Sequence, residues 1–345
     1  MRTGPNPAKK GLPAYSPKRL GVALITYIPF LEGYFSESLK ILGYQLESLR
    51  ASTGEDFDLL VFDNGSCQPV VEALQAYYEK KWIDWLILSQ HNVGKAGAWN
   101  WIFGAMPNEL ICYADSDVLF RPGWLEATLE VLQAFPQAGM VGAQPNFFDV
   151  MEGKGGAHRK LLAKESYVSV QYQPEQDIVD EYCLGIGASE ELRQQFLETA
   201  LPAVRHKPSE TTAVIGASHM QFVIPKEVAR QVIPLPATKG LLRAETMSLD
   251  YSVDALGYLH LSTTQPYVFH MGNTISQKLL EELGTLSREA APSDEGSVQE
   301  HKSLPRRSRL QRVAVSLARR PGMRRFFERL YNFIFRVLYS EGEPR

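Results

Sequence analysis

Five short β-rich runs alternate with stretches of helical length between residues 20 and about 142, and no other feature constrains the fold of this chain as strongly. The strand candidates are 21–27 (GVALITY), 57–63 (FDLLVFD), 83–89 (IDWLILS), 110–115 (LICYAD) and 138–144 (AGMVGAQ). Helix candidates fill the gaps at 36–52, 69–81, 95–105 and 122–135, the last with Pro122 near its start, where a missing N–H costs little. Strands joined by helical crossovers predict an α/β fold with a mostly parallel central sheet flanked by helices. In such sheets ligands bind beyond the carboxyl ends of the strands. The chemistry is therefore expected just after Tyr27, Asp63, Ser89 and Asp115, where polar residues cluster.

Three of those strand ends carry readable motifs. In ICYADSDVLF, residues 111–120, Asp115 and Asp117 stand at i and i+2 after an apolar strand. Two such carboxylates can converge on one Mg²⁺ or Mn²⁺ together with diphosphate oxygens; a solvated turn or a helix N-cap is the plainer alternative. In FDNGS, residues 62–66, Asp63 can be aimed at a base N–H or a ribose hydroxyl, while Asn64-Gly65 makes a turn in either case. In HNVGKAGAWNW, residues 91–101, Gly94 and Gly97 allow close backbone approach at the mouth of a helix, and Lys95 with the helix N-terminus favours a diphosphate nearby. A plain helix start accounts for the glycines as well. Trp99 and Trp101 can stack on a sugar or pack into the core.

Beyond residue 144 the pattern is harder to read. Residues 146–210 are mixed, with a Gly-rich basic piece at 151–160 that reads as a mobile loop. Residues 215–232 (IGASHMQFVIPKEVARQV) read as strand then helix, 244–258 as a helix closed by Gly257, and 266–270 (PYVFH) as a strand ending on His270. The three cysteines are too few and too scattered for a disulfide framework and imply a reducing setting. Neither a signal peptide nor a membrane span is expected, since no run reaches 18 apolar residues. The net charge of −3 hides an asymmetry: eleven Lys and Arg face one acid between His301 and Ser340, leaving residues 1–300 at −12. A basic face beside the aromatic-rich run 323–340 suits a helix lying on an anionic membrane surface. Packing against the domain or a partner is the alternative, and with no recognisable motif for it nucleic acid is not expected.

The ordered series VALITY, FDNGS, NVGKAGAWN and YADSDV resembles the nucleotide-sugar-binding half of the family-2 glycosyltransferases with the GT-A fold, closely over residues 20–145 and more weakly to about 275. The resemblance implies an inverting, metal-dependent transfer of a sugar from a nucleoside diphosphate sugar to an acceptor hydroxyl. It implies that Thr26 and Asp63 contact the nucleoside, that Asn92, Gly94, Lys95, Gly97 and Asn100 form the loop beside the donor, and that Asp115 and Asp117 bind Mn²⁺ or Mg²⁺. His270 resembles the late histidine that completes the metal site or touches the diphosphate, and His219 and Trp99 are expected on the acceptor side. The second half departs from the family pattern. A Glu-Asp pair normally opens a helix that ends twelve residues after the Glu in Gly followed by an aromatic or apolar residue. Glu245 and Gly257-Tyr258 keep that distance, but Thr246 stands where the usual base would be. Glu245 or Asp250 is left to take the acceptor proton.

The expected organisation is a flexible tail at 1–18, a nucleotide-sugar-binding half at 19–144, an acceptor-binding half of the same domain at 145–280, a linker at 281–302 and basic amphipathic helices at 303–345. The expected partners are a nucleoside diphosphate sugar, a glycan or lipid-linked acceptor, and an anionic membrane through 303–340, which implies an enzyme held at the cytoplasmic face. A nucleotidyltransferase would share such a sheet and its acids, but ITYIPFLEGY lacks the Gly-rich basic signature that class needs. A non-catalytic nucleotide-sugar or glycan-binding protein is kept open by Thr246.

Overall fold

The computed structural model describes residues 15–148, 158, 160–161, 163–236 and 244–290, with the side chains of 244–247 and 287–290 left out. The chain divides into two compact units, Met1–Ala291 and Pro292–Arg345; the second, with the basic segment 303–345, lies outside the described residues.

The first unit opens with β1 (Leu20–Thr26), α1 (Ser38–Ser52), β2 (Phe57–Asp63), α2 (Gln68–Glu79), β3 (Trp85–Leu88), α3 (Gly94–Ala105) and β4 (Leu110–Asp115). It continues with β5 (Val118–Phe120), α4 (Trp124–Ala134), β6 (Ala138–Gly142), β7 (Tyr167–Tyr172), α5 (Gln176–Ile186), α6 (Glu190–Glu198), β8 (Leu201–His206) and β9 (Thr212–Ile215). The last elements are β10 (Gln221–Pro225), α7 (Lys226–Val232), α8 (Ala244–Ala255), β11 (Leu259–Ser262), β12 (Val268–His270) and α9 (Gln277–Ala290). Ten strands form one sheet in the order β3-β2-β1-β4-β10-β6-β11-β9-β8-β7, and β12 pairs with β5 in a second, two-stranded sheet.

From β3 to β4 every pairing is parallel, with Thr26 beside Asp63 and Ile25 beside Asp115. The register thus brings three strand ends to one edge. Beyond β4 the sheet is mixed: β10 runs antiparallel to both β4 and β6, while β6 and β11 are parallel. Period-2 alternation explains why β1 is buried on both sides. Leu20, Val22 and Leu24 join one core cluster with Leu42, Leu46 and Leu49 of α1, Leu74 of α2 and Trp124 of α4. Ala23 and Ile25 join the opposite cluster with Trp99 and Phe103 of α3, Val228 of α7 and Leu249 and Val253 of α8. Helices therefore cover both faces, the α/β architecture that the resemblance implies.

Several expectations shift. The strand ending on His270 is only three residues long and pairs with β5. The unreadable stretch 146–210 holds β7, α5, α6 and β8. The segment 281–302 is not all linker, because its first ten residues belong to α9. The far end of the 1–18 tail is tied down: the Tyr15 hydroxyl and the Lys18 N–H both donate to Asp58, each at 2.8 Å.

Candidate functional site

Asp115 ends β4 and Asp117 begins the turn into β5, so the two acids flank a reversal at the ligand edge. The Asp115 backbone is locked on both sides: its N–H donates to Met220 O at 2.8 Å and its carbonyl accepts from the Gln45 amide. Its carboxylate accepts from Lys95 Nζ, 2.7 Å from Oδ1 and 2.8 Å from Oδ2, and from the Tyr113 hydroxyl. Lys95 Nζ also donates to the His219 carbonyl at 2.9 Å. Burial holds the Tyr113 hydroxyl protonated far above the usual tyrosine range, and the neighbouring carboxylates add to this.

Asp117 meets His270 because β12 pairs antiparallel with β5, setting His270 opposite Val118. Asp117 Oδ2 lies 3.2 Å from His270 Nε2, and the Met271 N–H donates to the Asp117 carbonyl at 2.8 Å. Burial opposes a charged imidazole at His270, but the Asp117 hydrogen bond and the Asp117 and Asp115 charges outweigh it, and the net effect raises its pKa. Two carboxylates and an imidazole are a suitable donor set for Mn²⁺ or Mg²⁺. Asp117 and His270 stand together, whereas Asp115 is turned onto Lys95. Among the described residues no group of three His, Cys, Asp or Glu side chains converges tightly enough to hold a metal by itself.

The loop expected beside the donor divides. Asn92 and Gly94 line the cleft, joined to Asn64: the Asn64 amide donates to Asn92 Oδ1 at 3.1 Å, the Val93 N–H donates to Asn64 Oδ1 at 2.8 Å, and the Gly94 N–H donates to Asn92 Oδ1 at 2.8 Å. Gly94 has φ 74°, which a side chain would strain. The other expected contacts point elsewhere. Asp63 is buried and its carboxylate accepts from the Gly65 and Ser66 N–H groups of its own turn. Thr26 is fully buried. Gly97 faces Val93 inside the helix, 3.0 Å from where a Cβ would sit. Asn100 brackets the backbone of Leu235, giving 2.9 Å to its carbonyl and taking 2.7 Å from its N–H. Trp99 is a correction to the acceptor-side expectation: it is fully buried, stacked on Phe103 and edge-on to Tyr113, and cannot reach an acceptor, while Trp101 is exposed.

The cleft has a volume of about 380 Å³ and takes in Asp115, Ser116, Asp117, Lys95 and Asn92. It also uses residues that were given no binding role: Tyr27, Tyr34, Asn64 and Asn273. Asn64 directly follows Asp63, and Asn273 follows His270 by three, so proximity to the strand ends was the available signal. The Asn273 amide donates to the Tyr34 carbonyl at 2.9 Å, tying the late loop to the first one.

A second polar cluster lies next to the cleft, at the start of β10. His219 Nε2 is 2.9 Å from Asp250 Oδ1 on α8, and His260 Nε2 on β11 is 4.0 Å from the same oxygen. The two were expected in separate roles and prove to be hydrogen-bonded. Glu245 and Thr246 lie in the first turn of α8, and their side chains fall outside the described residues.

Residues 34–186 match the family described as Glycosyl transferase family 2. An uncharacterized glycosyltransferase of Nostoc sp. is 25% identical over 114 residues, 33% of this chain and 34% of that protein; the chain thus spans about a third of that relative's length. Among solved structures, the mannosyltransferase PcManGT of Pyrobaculum calidifontis, in complex with GDP-Man and Mn²⁺, is 14% identical with a TM-score of 0.44, covering 95% of this chain and 89% of that one. S. aureus TarS 1–349 is 12% identical with a TM-score of 0.42, covering 81% and 67%. The likeness of this chain to glycosyl transferase family 2 thus lies in residues 34–186, the segment that holds Asn64, Asn92, Lys95, Asp115 and Asp117.

Proposed function

We propose that the chain transfers a sugar from a nucleoside diphosphate sugar to an acceptor hydroxyl with inversion at the anomeric carbon. The observation that carries this reading is the cleft at the carboxyl ends of β1, β2 and β4, where Asp115, Asp117, Lys95 and the Asn64–Asn92 pair meet within the matched family segment. Lys95 and the N-terminus of α3 offer positive charge to the diphosphate. Asp117 and His270, with Asp115 beside them, would hold Mn²⁺ or Mg²⁺, which when bound supplies Lewis-acid stabilisation of the departing diphosphate. PcManGT, whose solved complex holds GDP-Man and Mn²⁺, makes a nucleoside diphosphate sugar with Mn²⁺ the natural first probe.

The acceptor is a glycan or a lipid-linked saccharide, reached at the cytoplasmic face of a membrane that the basic segment 303–340 touches. The charge of that segment supports this, each Lys or Arg near an anionic surface adding about 1 kcal/mol. No described helix is long and apolar enough to cross a membrane.

The test is a panel of UDP-glucose, UDP-GlcNAc and GDP-mannose with Mn²⁺, scored by thermal shift and by release of nucleoside diphosphate. A binding donor raises the melting temperature by mass action. Asp117→Asn is expected to lower turnover at least about 100-fold, the scale set by losing one preorganised charge interaction in the transition state. Unchanged turnover in both Asp115→Asn and Asp117→Asn overturns the reading, as does the absence of any donor that binds. Tight donor binding without release over any acceptor would favour a non-catalytic binding protein.

A further inference from the structure

The polar cluster at the start of β10 places none of its side chains in the lining of the donor cleft, yet it sets two imidazoles beside one carboxylate. We propose that His219 is the group that removes the acceptor hydroxyl proton and that Asp250 is its positioning residue; this rests on the transferase reading above.

Asp250 Oδ1 lies 2.9 Å from His219 Nε2. A carboxylate there stabilises the tautomer with its proton on Nε2, which leaves Nδ1 as the lone-pair nitrogen. The His219 side chain keeps 24% of its surface exposed, which leaves part of the ring open to an acceptor. The backbone of His219 is fixed to the donor side. Its carbonyl accepts from Lys95 Nζ at 2.9 Å, the same ammonium holds Asp115 at 2.7 Å, and Asp115 in turn donates its N–H to Met220. Trp99 packs beside the ring at a tilt, with centroids 6.1 Å apart.

Asp250 is poorly placed to act alone. His219 caps one of its oxygens, and the buried His260, whose Nε2 has no hydrogen-bond partner among the described residues, approaches the same oxygen at 4.0 Å. Thr246, at the position where the resemblance calls for a base, has none to offer. The acceptor O–H bond breaks, its proton goes to Nδ1 of His219, and its electron pair forms the new bond to the anomeric carbon. The bond from that carbon to the diphosphate breaks, with its pair leaving on the phosphate oxygen. The imidazolium is stabilised by Asp250 and returns its proton to solvent.

The experiment has two arms on the full chain. With the donor that gives turnover in the panel above, His219→Gln, which can still hydrogen-bond Asp250, is expected to lower kcat about 100-fold or more. The donor KM and the donor-induced thermal shift should stay within about threefold and a degree of wild type, which also reports folding. In the second arm, ¹⁵N spectra of labelled imidazoles should show His219 protonated on Nε2 in the wild type, with that preference lost in Asp250→Asn. A His219→Gln variant with undiminished kcat overturns the inference, and if Asp250→Asn is then inactive the carboxylate itself is the base. A His219 protonated on Nδ1 overturns it too. A wild-type chain that turns over no donor sinks the transferase reading and this one with it, whereas turnover in wild type and His219→Gln alike sinks only the dyad.

Discussion

Gly185 sets the position of His270, and it does so by lacking a side chain. A Cβ built there would stand 2.8 Å from both Cβ and the carbonyl oxygen of His270, and the oxygen is backbone that cannot swing aside. Gly185→Ala must push α5 and β12 apart, carrying His270 away from Asp117. We expect it to destabilise the first unit by about 1–3 kcal/mol, the usual cost of overpacking, and to weaken turnover more than donor binding. Gly284→Ala on α9 is the control, since nothing lies within 4 Å of its added Cβ, and urea unfolding of both variants decides the point. At this scale the sequence was legible for Asp115, Asp117 and Asn92, because strand ends announce themselves. Asp63 and Asn100 misled, for a physical reason: a polar residue at a strand end or helix mouth is equally able to satisfy its own turn or a neighbouring backbone, and in this chain both do.

Among the elements, one half-buried cation holds three segments that share no sequence signal. Arg121, just past β5, donates two hydrogen bonds to Glu181 of α5 at 2.7 and 2.8 Å, two to Glu282 of α9 at 2.9 Å, and one to the Pro266 carbonyl at 2.8 Å. Removing the guanidinium leaves two carboxylates facing each other with the Lys278 ammonium beside them. Arg121→Met should cost about 3–5 kcal/mol, and Glu181→Gln with Glu282→Gln in the same chain should recover much of that. Equal instability in the single and triple variants, measured by urea titration, would refute the clasp. These contacts also show why the elements past residue 144 resisted reading. The first half repeats a local rule in which each apolar strand is followed by a helix, so β2 and β4 fall at their expected bounds. The second half is held by pairs far apart in the chain, Arg121 with Glu282 or β12 with β5, and no window of sequence contains both partners. β12 is three residues long and owes its strand character to β5.

For the first unit as a whole, the buried histidines set how it responds to acid. His158 is pushed down to about 4 by burial first and by the neighbouring His260 second, and His260 is also lowered, by burial first. A histidine whose folded pKa lies below the unfolded value of about 6.5 binds fewer protons folded than unfolded. The unfolded chain therefore takes up more protons as pH falls from about 6.5 to about 4, and stability declines across that window. At pH 5 the His158 share is about 2 kcal/mol. His270 acts in the opposite sense: its raised pKa contributes stability that is complete below 6.5 and fades as pH rises through the folded value, so it offsets part of the loss. The ion-paired carboxylate Glu282, held below its usual range against the cost of burial, gives up its contribution only at lower pH and leaves the window to the histidines. Urea midpoints at pH 7.5 and pH 5.0 should thus differ clearly in the wild type, and His158→Gln with His260→Leu should shrink that difference. His260→Leu removes an imidazole whose buried Nε2 has no hydrogen-bond partner among the described residues, so the variant should fold. A pH dependence as steep in the double variant as in the wild type would mean that some other group governs the acid response.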